Sequence, residues 1–149
     1  MAPAAARPDH TTSGTGAVPA EAGEQERCLR PWGWFETLAE GEGYRVKRLV
    51  LHPGQRLSLQ RHQHRCEHWL VAAGSGRLEL DGIEQPLQSG SAATIPLGAV
   101  HRASAADDGL VIIELQRGAV LSEADIERLA DDYGRCSKPT PAEPQQASN

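Results

Sequence analysis

From Tyr44 to Gln116 apolar and polar residues alternate mostly with a period of two. The run YRVKRLVL, residues 44–51, places Tyr44, Val46 and Val50 on one face of a strand. Pro53-Gly54 interrupts it, RLSLQRH resumes it and EHWLVAAG follows, with a turn expected at Gly74-Ser75-Gly76. RLELDG ends on Asp81-Gly82, a dipeptide suited to a tight hairpin, before IEQPLQ. SAATIP, VHRAS and LVIIELQ add three more strands. Short strands at even spacing, punctuated by Gly and Pro, predict an all-β sandwich or barrel. The period changes once, in SEADIERLADDYG, where Ile126, Leu129, Ala130 and Tyr133 fall on one helical face. With Ser122 as N-cap, Asp125 three residues on and Gly134 past the end, the pattern predicts a short C-terminal helix outside the barrel.

The flanks read differently. Residues 1–27 are rich in Ala, Pro, Gly, Ser, Thr and Glu and nearly free of large apolar side chains, and residues 136–149 resemble them. Such segments bury too little surface to offset chain entropy, so both are expected to be disordered around one folded unit, residues 28–135. The 149 residues suffice for one domain. The formal net charge of -5, with no basic block, makes nucleic acid an unexpected partner. Three widely spaced cysteines without CxxC fit a reduced compartment. No apolar run approaches the roughly 20 residues of a membrane span, and MAPAAARPDHTTSG lacks the apolar stretch of a secretion signal. The expectation is a cytoplasmic protein with no membrane partner.

Candidate chemistry concentrates in LSLQRHQHRCEHWLVAAG, which holds three of the six histidines. Gln60 and His62 lie two apart and share a strand face. Residues 63–66 can turn, so that Glu67 points back at His62, and His101 on a later strand can complete the group. An amide oxygen, two imidazoles and a carboxylate form a mixed N/O donor set suited to Zn, Mn, Fe, Co or Ni. His64 lies in the turn and fits the mouth of such a site, whereas His68 points outward or into a second layer.

The spacing also carries a resemblance. Five residues separate Gly54 from Gln60, one Gln60 from His62, four His62 from Glu67, and six Glu67 from Gly74. Five residues separate Gly90 from Pro96, and two separate Gly98 from His101. This resembles the two motifs of the cupin superfamily, G-x5-H-x-H-x3/4-E-x6-G and G-x5-P-x-G-x2-H-x3-N, with Gln60 in place of the first His and Ala105 in place of the last Asn. The longer series RPWGWFETL, YRVKRLVLHPGQRLSLQRHQHRCEHWLV, IPLGAVHR, IIELQRG and LSEADIERLADDYGR, over about residues 30–135, looks like the C-terminal cupin domain of type II mannose-6-phosphate isomerases. Those proteins often carry a guanylyltransferase domain in front, and no Gly-rich nucleotide signature precedes Arg30. Cys66 stands where that family usually has a small residue such as Ala.

The resemblance implies a single cupin domain, a double-stranded β-helix or jelly-roll barrel. It further implies a divalent metal, Zn foremost, on Gln60, His62, Glu67 and His101, and a small sugar phosphate as substrate. Aldose–ketose isomerisation needs a Lewis acid for enediolate charge and a base that moves a proton between neighbouring carbons. His64 is the expected base by residue type. Arg65 is expected to stabilise the oxyanion or hold phosphate, and Lys47 to contact substrate. Cys66 reads as a small packing residue, Trp69 as core, and Arg30 with Trp32 and Trp34 as supports of the N-terminal strand. A homodimer is expected, because barrel edges need cover. Two other readings compete: a non-catalytic sugar- or metal-binding module acting beside a separate guanylyltransferase, and another cupin enzyme such as a dioxygenase, against which Gln60 argues.

Overall fold

The computed structural model describes residues 25–136. The segments 1–24 and 137–149, where the sequence predicts disorder, lie outside the described residues. Nine strands are present among the described residues: β1 Cys28–Arg30, β2 Gly33–Gly41, β3 Tyr44–Leu51, β4 Leu59–Arg61, β5 Cys66–Leu80, β6 Ile83–Gln88, β7 Ala92–Ile95, β8 His101–Arg117 and β9 Glu127–Ala130. They form one curled, antiparallel sheet in the order β1-β2-β3-β8-β4-β9, with β5 also pairing with β6, β7 and β8. No helix among the described residues is long and apolar enough to cross a membrane.

The two longest strands make the curl. Cys66–Gly74 of β5 runs beside Leu110–Arg117 of β8, and Gly76–Leu80 beside His101–Ala105, with register shifts between. The sequence predicts a turn at Gly74-Ser75-Gly76 and a break between VHRAS and LVIIELQ. Instead both strands pass straight through and bend. Glycine allows the bend: a Cβ on Gly74 would sit 2.1 Å from the Gly109 carbonyl oxygen, and one on Gly76 2.0 Å from that of Ser104. The Asp81-Gly82 hairpin is present, with both residues at positive φ (47° and 81°) as a two-residue type I′ loop requires.

Inward positions on the strands build the core. Leu51, Leu78, Ile95, Ala103, Leu110 and Ile112 are almost wholly buried. Each larger side chain among them contributes on the order of 1.5–3 kcal/mol by leaving water. On β3 the inward face is Lys47, Leu49 and Leu51, so the Tyr44–Val46–Val50 face is the outer one. The inward series on β8, Leu110 and Ile112, continues into Glu114 and Gln116. At that end of the curl the core turns from apolar to polar.

The C-terminal helix does not form. Glu127–Ala130 is a strand paired with β4, and Leu129, expected on the buried face, is 47% exposed. A three-residue β4 has one edge open, and pairing satisfies its backbone groups in a way a helix cannot. The helix signals are spent elsewhere. The Asp125 carboxylate accepts hydrogen bonds from the backbone N–H groups of Gln63 and His64 at 2.9 Å each. The Asp125 N–H closes a turn on the Ser122 carbonyl at 3.0 Å. Ion pairs then clamp this C-terminal strap: Arg61 to Glu127 and Arg56 to Asp132.

Candidate metal centre and cavity

His62 follows β4, Glu67 lies near the start of β5, and His101 opens β8. The strand geometry foreseen from parity brings their donor atoms within 4.8 Å of one another, all three side chains buried. Glu67 stands between the rings. Its Oε1 is 3.0 Å from His62 Nε2, and its Oε2 is 3.5 Å from His101 Nε2. Gln60 is paired through its backbone with His101, and its side chain lines the cavity that Glu67 also lines. The Ser58 hydroxyl donates to its amide oxygen at 3.1 Å.

The outer ring nitrogens define the tautomers. His62 Nδ1 lies 2.7 Å from the Asp125 carbonyl oxygen and His101 Nδ1 lies 2.9 Å from that of Ala99. A carbonyl only accepts, so each Nδ1 carries a proton. In a neutral ring, Nε2 then presents a bare lone pair. Two lone pairs facing a carboxylate repel unless a proton or a cation lies between them. His101 Nε2 is buried with no hydrogen-bond partner. The donor set and this orphaned atom fit a divalent cation with N/O ligands. The electrostatics agree. Burial alone would raise the Glu67 carboxyl, but the His101 and His62 rings override it and hold the group well below the usual carboxylate range. Burial pulls the His101 imidazole down, and adjacent Glu67 outweighs it, leaving the ring above its ordinary value.

Beside this cluster lies a cavity of about 70 Å³ that is partly open to solvent. Five cationic side chains, Arg30, Lys47, Arg65, Arg128 and Arg135, and three acidic ones, Glu67, Glu114 and Glu123, line it. Arg65 turns inward: Nε donates to Glu67 Oε1 at 3.1 Å, one terminal nitrogen lies 3.2 Å from the Ser122 carbonyl, and the other 3.3 Å from His62 Nε2. Lys47 is 4% exposed, pairs with Glu123, and sits 4.2 Å above the Phe35 ring. The Trp69 indole N–H donates to Glu67 Oε2 at 3.0 Å, so this core residue also fixes the carboxylate.

His64 is not with the others. It is exposed and lines a surface groove with Gln63, Val120 and Asp125, on the far side of its turn. Its parity matches that of His62, but the turn starts at residue 63 and breaks the alternation. His68 lies 3.4 Å from the Thr94 hydroxyl, away from the cluster. Arg30, read as a support, lines the cavity.

The sequence pattern alone does not mark Glu114. It is 5% exposed, lines the cavity, and accepts a hydrogen bond from the Gln116 amide at 2.7 Å. Burial pushes its carboxyl up to about 8, with the Glu67 charge adding to the rise and Lys47 and Arg65 opposing it. The available signal was a charged residue at an inward position of a strand.

Residues 19–131 match the family described as mannose-6-phosphate isomerase C-terminal. The chain belongs to that family. The alginate biosynthesis protein AlgA of Pseudomonas aeruginosa is 43% identical over 118 residues, covering 77% of this chain and 24% of that protein. The mannose-1-phosphate guanylyltransferase of Escherichia coli is 42% identical over 107 residues, 71% of this chain and 22% of that protein. The chain therefore spans about a quarter of the length of the curated relatives it matches. Among solved structures, oxalate decarboxylase from Bacillus subtilis aligns with a TM-score of 0.65 at 19% identity, over 71% of this chain and 30% of that one. KdgF from Halomonas sp. aligns at 0.61 and 18%, over 68% and 91%. These likenesses establish the cupin fold.

Proposed function

We propose that this cupin domain is a metal-dependent sugar-phosphate isomerase that interconverts mannose 6-phosphate and fructose 6-phosphate, supplying precursors for polysaccharide synthesis. The observation that carries the reading is a second buried carboxyl, Glu114, in the cavity that Glu67 of the His–Glu–His cluster also lines. Isomerisation needs both groups, and a simple binding module has no use for the second. The family assignment and the polysaccharide-synthesis names of the relatives support the substrate class.

Gln60, His62, Glu67 and His101 would hold a divalent ion, Zn foremost among Zn, Mn, Co, Fe and Ni. Such an ion supplies Lewis-acid stabilisation of negative charge on sugar oxygens. Glu114 takes the proton from C2 of the aldose and returns it to C1, while the O2 hydroxyl proton ends on O1. No co-reactant is consumed. A carboxyl at its usual value would be a weak base, and burial strengthens it toward working pH. Arg65 holds the Glu67 and His62 side chains in position and offers positive charge to the reacting oxygens. Lys47 restrains Glu123 and contributes field at Glu114. His64, exposed beside the strap, has no part in the proton transfer.

Formation of fructose 6-phosphate from mannose 6-phosphate by the purified, metal-loaded chain tests this reading. A second reading, a sugar- and metal-binding module beside a separate guanylyltransferase, draws on the guanylyltransferase names of several relatives. That reading predicts sugar-phosphate binding without ketose formation.

A further inference from the structure

The C-terminal strap is more than a cover for the β4 edge. We infer that Arg128 of β9, supported by Arg135 and by Arg30 of β1, forms an oxyanion subsite that takes the phosphoryl group of the substrate. This rests on the sugar-phosphate reading of the same cavity.

Arg128 is paired directly opposite Gln60. Opposed residues on antiparallel strands share a face with Cβ atoms roughly 5 Å apart, and both side chains line the cavity. It therefore lies beside the donor cluster, within the same cavity. Arg128 Nε is buried without a hydrogen-bond partner, and the residue forms no ion pair among the described residues. A desolvated guanidinium donor is costly until it meets an acceptor. Lys47 and Arg65 are already engaged, with Glu123 and Glu67 respectively. They are poor choices for a second anion.

Arg135 is held ready by a fork-to-fork pair. Its Nε and one terminal nitrogen donate to the two Asp131 oxygens at 2.9 and 2.8 Å, leaving its other terminal nitrogen over. Arg30 lies 5.0 Å from the Phe35 ring centroid and has no ion pair among the described residues. Planar guanidinium groups suit phosphoryl oxygens, which accept two parallel bonds. The strap that carries Arg128 and Arg135 is anchored: the Tyr133 hydroxyl donates to the Gln55 amide oxygen at 2.7 Å. The subsite is thus built on fixed backbone.

Titration calorimetry on the full chain, with inorganic phosphate, mannose 6-phosphate and unphosphorylated mannose as probes, tests the inference. Arg128→Gln should weaken phosphate and mannose 6-phosphate binding about ten- to a hundredfold, the scale of one lost charge-assisted pair, and leave mannose binding unchanged. Arg128→Lys should restore part of the loss, because it returns charge without the fork. Thermal melting checks that each variant folds, and Arg30→Gln provides a second variant with a smaller loss of the same selectivity. Arg77→Gln, a removed charge on the exposed β5–β6 hairpin, should change nothing. Equal phosphate affinity in wild type and Arg128→Gln, or equal losses for mannose and mannose 6-phosphate, would overturn the inference. Phosphate binding that needs Arg128 in a protein that makes no ketose would uphold the subsite and remove the isomerase reading alone.

Discussion

Replacing Glu114 by Gln separates the proton-transfer role from the shape of the cavity. Gln keeps an acceptor oxygen for the Gln116 amide, which lies 2.7 Å from Glu114 Oε1, and removes only the ionisable group. The wild-type carboxyl moves from 4.5 to about 8 on folding. Between those values the folded protein keeps a proton that the unfolded chain has lost, so stability falls as pH rises, by about 1.36 kcal/mol per unit. The advantage of the protonated group is complete below about 4.5 and gone above about 8. Over the whole window the loss is on the order of 4–5 kcal/mol. Denaturant unfolding of metal-free protein from pH 5 to 9 should show this slope in wild type, and Glu114→Gln should be flatter. A bound divalent ion adds positive charge near Glu67 and draws the Glu114 carboxyl down from 8, so the ascending limb of isomerase activity should fall between 4.5 and 8. Turnover of the Gln variant should drop by about 10²–10⁴, the scale of a lost general base. Wild-type turnover in the Gln variant, or the same pH slope of stability in both proteins, would refute the reasoning.

Four further outcomes are expected. His101→Ala removes a buried donor and should leave the fold intact while metal content after dialysis drops sharply; full occupancy in that variant would show that His101 is not a ligand. Asp125→Ala frees the Gln63 and His64 backbone amides and should lower metal affinity through His62, with partial rescue by Asn. His64→Ala should leave turnover unchanged, and a large loss would bring His64 back as the base. The proposed homodimer should give twice the chain mass by light scattering at micromolar concentration, with exposed Leu29 on edge strand β1 as one covered residue.

Local pattern carried much of this protein. Alternation marked the strands, Asp81-Gly82 marked its hairpin, and the turn between His62 and Glu67 foretold an approach that the structure makes at 3.0 Å. What escaped depended on partners distant in sequence. SEADIERLADDYG has helical spacing, yet the open edge of β4 recruits residues 127–130 as a strand. Gly74 and Gly76 read as a turn because a backbone crowded against Gly109 and Ser104 cannot be seen from neighbours in the chain. Glu114 and Gln116 sat within an apolar strand, and only the pairing of β8 with β3 and β5 shows that their alternation points inward. Arg128 follows the same logic, since its role depends on the register with Gln60.

The most direct measurement is a metal titration of catalysis. The full chain is stripped with a chelator, reloaded in turn with Zn, Mn, Co, Fe and Ni, and assayed for fructose 6-phosphate formed from mannose 6-phosphate, with circular dichroism confirming the strand-rich fold throughout. The account predicts no ketose from stripped protein, recovery with at least one of these ions, and no recovery in His101→Ala. Folded, metal-loaded protein that forms no ketose with any of them, or activity that survives chelation, would contradict it.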